Sequence, residues 1–240
     1  MRQMDVLLSG IQRLGLDVSE NQVCQFQRYF QELIDWNSNI NLTAITDYRQ
    51  VQSKHFLDSL TVSQAIPEAI DRSVRLIDVG SGAGFPSLPL KILWPCIQVT
   101  LVESVAKKAA FLRHVSVTLG LKGVDVICQR AEVLAHDPEL RESFDVVVSR
   151  AVSALNTLAE LTLPFCKVGG RVIAQKKFGI ENELKQAEKA INLFGGHVEK
   201  VELVEVAELG EQRCLIVLTK DSECPSKYPR RTGIPAKRPI

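Results

Sequence analysis

A strand-forming run that breaks into glycine at every second position constrains this chain more than any other feature. Residues 74–85 read Val-Arg-Leu-Ile-Asp-Val-Gly-Ser-Gly-Ala-Gly-Phe, so an apolar run carrying Asp78 leads into Gly80, Gly82 and Gly84. Glycines at that spacing let the chain turn sharply and let a ligand approach the backbone without meeting a Cβ. The acid narrows the ligand. A phosphate-cradling loop favours Lys or free amides, whereas Asp78 would repel a diphosphate and could order the loop or face a cation. S-adenosylmethionine, with a sulfonium and an amino group, is such a cation.

From residue 74 onward, short β-rich runs alternate with helical ones. Strands are expected at Arg75–Val79, Gln98–Glu103, Val124–Cys128, Asp145–Ser149 and Arg171–Gln175, with helices at Leu88–Leu93, Lys107–Leu119, an acidic stretch near 132–142, and Ala154–Pro164. Near-continuous apolar strands separated by helices predict an α/β fold with a parallel, doubly wound sheet. Helix Glu181–Asn192 then leads to two strands, Val198–Val206 and Cys214–Thr219, expected as antiparallel edge strands joined by an acidic turn. Residues 1–70 predict helices: Leu7, Leu8, Ile11 and Leu14 recur at helical spacing, and Ser19–Gln22 offers a capping box ahead of Val23, Phe26, Phe30, Leu33 and Ile34. A polar connector, 37–46, precedes a helix capped by Asp47 that carries Val51, Phe56, Leu57 and Leu60 and ends at Pro67. The expected organisation is a helical region 1–70, a ligand-binding α/β domain 71–220, and a basic, Pro-rich tail 221–240 without regular structure.

Composition removes several function classes. Hydrophobic residues are 45% and charged residues 24%, ordinary for a soluble domain, and the net charge of +1 points to no partner, so any basic surface must be local. Six cysteines without a CxxC pair or metal-ligand spacing fit reduced, mostly buried thiols, so no metal is expected. No apolar run of about 18 residues predicts a membrane span, and the N-terminus lacks a signal-peptide pattern. The expected location is the cytoplasm.

Ligands of open α/β sheets sit at the C-terminal ends of the strands. The first strand ends at Asp78-Val79-Gly80. The second ends at Glu103, 19 residues beyond Gly84, where a carboxylate can accept two ribose hydroxyls. The third ends near Ala131 and Glu132, suited to an adenine edge, and the fourth at Ser149-Arg150. A nicotinamide dinucleotide is the competing ligand, but residue 85 is Phe85, so the strict dinucleotide glycine pattern is not met.

The chain resembles the small-subunit ribosomal RNA methyltransferase G family, also called glucose-inhibited division protein B. The resemblance rests on Asn39–Ile45, His55–Leu60, Asp78–Pro86, Val102–Ser104 with Lys107 and Lys108, Ser149–Val152, and the ending Tyr228–Lys237, in that order. It implies a class I, Rossmann-like S-adenosylmethionine-dependent methyltransferase fold with an N-terminal helical extension, and N7 methylation of a guanine in 16S rRNA. Carried onto matching positions, it places Gly80, Phe85, Ala131, Glu132 and Arg150 at the cofactor, beside the Asp78, Gly82, Gly84 and Glu103 already singled out. The chain departs from the family pattern at Ser87 and at Gln175–Gly179.

The chemistry expected at the fourth strand end agrees. Exocyclic-amine methylation usually uses an Asn/Asp-Pro-Pro-aromatic loop there, and this chain has Ser149-Arg150-Ala151-Val152. Pyrimidine-carbon methylation needs a cysteine nucleophile; Cys96 lies after the first helix of the α/β domain and is expected to be structural. Guanine N7 has a free lone pair and no proton to lose, so the enzyme need only hold it in line with the methyl group. Arg150 is the candidate catalytic residue, the alternative being a salt bridge to Asp145 or a neighbouring acid. His55 and Asp58 share a helix face and either line the cofactor pocket or form a surface pair. Lys107, Lys108 and Arg113, and in the tail Arg230, Arg231, Lys237 and Arg238, are candidate RNA contacts. A monomer acting on 16S rRNA or the small subunit is expected; the alternatives are a methyltransferase for another RNA, a protein or a small molecule, and a non-catalytic cofactor-binding assembly factor.

Overall fold

Ser19 starts the N-terminal packing as the sequence predicts. In the computed structural model, which describes residues 4–66, 74–150 and 153–240, its hydroxyl accepts from the Gln22 amide and the Gln22 side chain accepts from the Ser19 amide at 2.8 Å. This box opens helix α2 (Glu20–Asn37), which follows α1 (Asp5–Arg13). The buried stripe of α2 is Phe26, Tyr29 and Leu33; the expected Val23 and Phe30 are only partly buried. Tyr29 is fully buried because its hydroxyl donates to the Ala83 carbonyl at 2.5 Å, inside the glycine loop.

Asp47 caps the next helix, accepting from the Gln50 amide. This helix, α3 (residues 48–65), is irregular: an α-turn, Tyr48–Val51, widens into a π-segment, Gln52–Leu57, then returns through Asp58–Leu60 to a 3₁₀ turn, Thr61–Ala65. Val51, Phe56, Leu57 and Leu60 are all fully buried. Pro67 lies outside the described residues.

The sheet has the order β3-β2-β1-β4-β5-β7-β6, formed by β1 (Arg75–Val79), β2 (Gln98–Val102), β3 (Val124–Ile127), β4 (Phe144–Arg150), β5 (Cys166–Lys177), β6 (Gly196–Val204) and β7 (Arg213–Lys220). β1 to β5 pair in parallel, and β7 is antiparallel to both β5 and β6. The expected antiparallel pair therefore ends the sheet, with β7 as its inner strand against β5 and β6 as the outer one. Burial explains the order. Residues Cys214 to Leu218 of β7 are buried, whereas β6 exposes His197, Glu199 and Lys200, the charged chemistry that keeps an edge from pairing with other chains.

Between strands run α4 (Ser87–Leu93), α5 (Ala106–Thr118), α6 (Ala131–Leu134), α7 (Leu155–Thr162) and α8 (Glu181–Leu193). The acidic stretch near 132–142 is helical only over α6. Alternating strand residues feed two apolar clusters. Leu76, Leu101, Val146, Val148 and Leu215 pack with α1 to α5, while Ile77, Val79, Val147, Val172 and Ile216 pack with α7 and α8. The N-terminal helices thus cover one face of the sheet. Among the described residues no helix is long and apolar enough to cross a membrane.

Two further expectations are corrected. Three cysteines, Cys24, Cys96 and Cys128, are exposed, so the thiols are not mostly buried. The tail does not lack regular structure throughout. It is laid on the protein by Arg141, which donates to the Cys224 and Tyr228 carbonyls, by Tyr228 packed edge-on against Phe194, and by Thr157, which donates to the Pro235 carbonyl. It ends in a short helix, α9 (Ile234–Lys237). The prolines fix its path, and buried polar partners on the domain hold it there.

Candidate functional site

The loop between β1 and α4 closes through its own backbone. The Gly80 and Ser81 amides donate to the Val102 carbonyl, and the Gly84 amide donates to the Ser81 carbonyl at 2.7 Å. Gly82 and Gly84 both have positive φ, at 57° and 93°, but differ in surroundings. A Cβ on Gly84 would meet Leu88 at 2.5 Å and the Tyr29 hydroxyl at 2.6 Å, whereas one on Gly82 would meet only the Gly80 carbonyl oxygen at 4.0 Å. Gly84 is needed for packing; Gly82 keeps an open backbone face.

The acids predicted around the loop divide the work. Glu103, 6% exposed, accepts from the Gly82 amide at 3.0 Å and the Val105 amide at 2.7 Å, tying the loop to the end of β2. Asp78 is fully buried, and neither carboxylate oxygen has a hydrogen-bond partner. Burial pushes its pKa up to about 7, against the pull of the Ser87 dipoles and of Arg150. Ser87, the departure from the family pattern, is buried on the first turn of α4, where its hydroxyl and amide are the polar groups that act on Asp78. An orphaned buried carboxylate beside an open glycine face fits a cationic, adenosylmethionine-like group.

Arg150 closes β4. Its Nη1 donates to Asp58 Oδ2 at 3.0 Å and to the Lys54 carbonyl at 3.2 Å, and the guanidinium carbon lies 4.9 Å from the Phe85 ring centroid. The expected ion pair is therefore present, but to Asp58 rather than to Asp145, whose carboxylate takes Lys167 and the Arg75 amide. The π-segment of α3 brings His55 and Asp58 to the same guanidinium, so both face inward rather than forming a surface pair. A π-turn offsets the usual carbonyl pairing, and here the Lys54 carbonyl receives a side-chain donor. His55 stacks on Phe85 at 4.6 Å and contacts the Thr43 hydroxyl at 2.7 Å. Burial and the Arg150 charge lower its pKa to about 3, which keeps it neutral.

Beside Arg150 opens a cleft of about 420 Å³, lined by Lys54, His55, Asp58, Gln175, Lys177 and Arg213 among others. Sequence reasoning missed Tyr29, Thr43, Gln175 and Arg213. Tyr29 sits in an ordinary amphipathic helix, and Thr43 in the Asn39–Ile45 motif, which carried the resemblance without assigning that hydroxyl a role. The other two follow from strand register: Arg150 lies opposite Gln175, and Lys177 opposite Arg213.

The remaining predicted residues divide. Ala131 is at the start of α6, and Glu132 accepts from the Gly233 amide of the tail at 2.9 Å, so the tail abuts the expected adenine position. Arg230 is committed to Glu160, which is 1% exposed, with its nearest contact at 2.6 Å. Arg231, Lys237, Arg238 and Lys107 are exposed and Lys108 is half-buried. Ala151 and Val152 of the Ser149–Val152 segment lie outside the described residues. Among the described residues no group of three or more His, Cys, Asp or Glu side chains could hold a metal ion.

A family model described as rRNA small subunit methyltransferase G matches residues 22–214. Curated proteins with the name ribosomal RNA small subunit methyltransferase G are similar over nearly the whole chain. That of Dehalococcoides mccartyi is 53% identical, covering 99% of this chain and 100% of the relative. That of Roseiflexus castenholzii is 51% identical with the same coverage. Among solved structures, a mutant of MtNAS in complex with S-adenosylmethionine aligns with a TM-score of 0.56 at 19% identity, covering 82% of this chain and 72% of that one. A transferase structure from Pyrococcus horikoshii aligns with a TM-score of 0.54 at 13% identity, covering 72% and 64%. At these identities the structural likeness speaks for the fold.

Proposed function

Because the chain belongs to the rRNA small subunit methyltransferase G family, we propose that it transfers a methyl group from S-adenosylmethionine to N7 of a guanine in 16S ribosomal RNA. The observation that carries the reading is Arg150, held at the end of β4 by Asp58 and Lys54, between the glycine loop's Phe85 and an open cleft. When bound, the cofactor supplies an electrophilic methyl group on a sulfonium.

The chain's own residues have a limited task in this reaction. Asp78, Gly80, Gly82, Gly84, Phe85, Glu103, Ala131 and Glu132 bind and orient the donor. Gly82 offers its free backbone face, and Glu103, already ordered by two amides, retains lone pairs for ribose hydroxyls. Arg150 contacts the donor or the RNA beside the reacting atoms. N7 carries no proton, so no general base is required, and the cleft-lining residues include no cysteine nucleophile. Catalysis then rests on holding N7 near the methyl group, about 3 Å away and in line.

The acceptor surface comprises the cleft with Lys54 and Lys177, the exposed cations Lys107, Arg231, Lys237 and Arg238, and the half-buried Lys108. Arg230 serves it by fixing the tail through Glu160. The protein acts as a monomer in the cytoplasm, on free 16S rRNA or on the small subunit. The test is transfer of labelled methyl to small ribosomal subunits and to their extracted RNA, with the product mapped as 7-methylguanosine. Arg150→Ala is expected to lower transfer by at least about 100-fold, the scale seen when a charged group at the reacting centre is removed. Wild-type transfer to any other position or molecule, or full activity in Arg150→Ala, would overturn the reading.

A further inference from the structure

Asp58 sits where three strands converge on α3, and it is 3% exposed. Its Oδ2 takes Arg150 of β4 at 3.0 Å, and its Oδ1 lies 3.4 Å from Arg213 Nε of β7. Its backbone carbonyl accepts from Gln175 Nε2 of β5 at 2.6 Å and from the Thr61 hydroxyl at 2.6 Å. β4, β5 and β7 are neighbours in the sheet, so one carboxylate set into α3 braces two arginines that flank the central strand of the three. Oδ1 has no hydrogen-bond partner, which leaves it to act on Arg213 through charge alone.

We propose that Asp58 is a positioning residue for methyl transfer: it holds the Arg150 guanidinium against Phe85 and balances Arg213 across the acceptor cleft. The inference rests on the methyltransferase reading above. The physical case is that an arginine side chain has several rotatable bonds, and its planar fork loses less freedom per hydrogen bond when pre-organised. Here the fork is fixed by Asp58, by the Lys54 carbonyl that the π-segment presents, and by the Phe85 face. Without Asp58, two guanidiniums share the cleft with Lys54 and Lys177, and only Glu211 opposes them among the acidic lining residues. Mutual repulsion then moves Arg150 off its place. A misplaced Arg150 slows the chemical step while leaving cofactor and RNA contacts made elsewhere intact. A merely structural Asp58 would instead lower stability and leave turnover per folded molecule unchanged.

The test is a double-mutant cycle on kcat and KM with the full-length enzyme and small-subunit RNA, scored per folded molecule. Asp58→Asn is expected to lower kcat at least tenfold with both KM values within threefold. In an Arg150→Ala background it should add less than twofold, since its partner is gone. Asp58→Glu keeps the charge on a longer arm and should recover part of the lost kcat; if Asp58→Asn does not fold, the same cycle is run with Asp58→Glu, expected to lower kcat severalfold over wild type. A normal kcat, a loss confined to KM, or an equal loss in both backgrounds overturns the proposal. Wild-type enzyme that transfers no methyl to the RNA refutes the functional reading; active wild type with an active Asp58 variant refutes this inference alone.

Discussion

Replacing Gly84 with alanine separates the two duties of the glycine loop. At φ 93° any side chain is strained, at about 1–2 kcal/mol. The new Cβ would also lie 2.5 Å from Leu88 and 2.6 Å from the Tyr29 hydroxyl, both fully buried, so neither can swing into solvent. Overpacking of this kind costs about 1–3 kcal/mol. Moving Tyr29 breaks its bond to the Ala83 carbonyl, and a buried group left unpaired costs about 1–3 kcal/mol more. Since relaxation recovers part of these, the expected loss is about 3–5 kcal/mol, or roughly 10 °C in Tm for a chain of this size. Gly82→Ala is the control. Its φ of 57° imposes similar strain, but nothing stands closer than 4.0 Å, so the expected loss is about 1–2 kcal/mol. The order reverses for the ligand: Gly82→Ala places a methyl on the open face and should weaken S-adenosylmethionine binding at least tenfold. Urea unfolding at unchanged m and calorimetric titration of the cofactor read the two effects. Equal stability of the two variants would refute the assignment of Gly84 to packing; unchanged cofactor affinity in Gly82→Ala would refute the open face as the ligand's.

Two further outcomes follow from buried charges. Asp78 has a folded pKa near 7, raised by burial above its ordinary value, so the folded state holds the extra proton between about pH 4 and 7. Its contribution to apo stability is therefore full below pH 4 and lost as pH rises through 7. Asp78→Asn should remove that slope and leave the apo protein more stable than wild type at pH 8 by urea unfolding, while a wild-type slope in the variant would sink the assignment. Arg230→Ala removes the guanidinium from the buried Glu160 carboxylate and leaves it only the residue-230 backbone amide, for which about 3 kcal/mol is the expected cost. Thermal unfolding and tryptic cleavage after Lys227 should both report a loosened tail, and unchanged values in both would show that this pair does not hold it.

The chain's local chemistry already determined much of this protein. Glycine spacing, the Ser19 and Asp47 caps, strand-helix alternation and the strand-end acids are each written within a few residues, because they depend on backbone conformation and side-chain reach along one segment. The family motifs added the expected donor and acceptor by resemblance. Tertiary structure decided what depends on pairing between distant segments. It placed β7 inside the sheet because its apolar residues need cover on both faces, and the registers that set Arg150 opposite Gln175 and Lys177 opposite Arg213 bring these side chains into one cleft. It turned α3 through a π-segment that no periodicity announces, exposing the Lys54 carbonyl and aiming Asp58 at two arginines. It docked a tail that composition alone describes as free, because buried Glu160 and the carbonyl-binding Arg141 lie far away in sequence. The glycine loop was legible from its own residues; the seat of Arg150 was not, since its parts come from α3, β4, β5 and β7 and meet only in the folded chain.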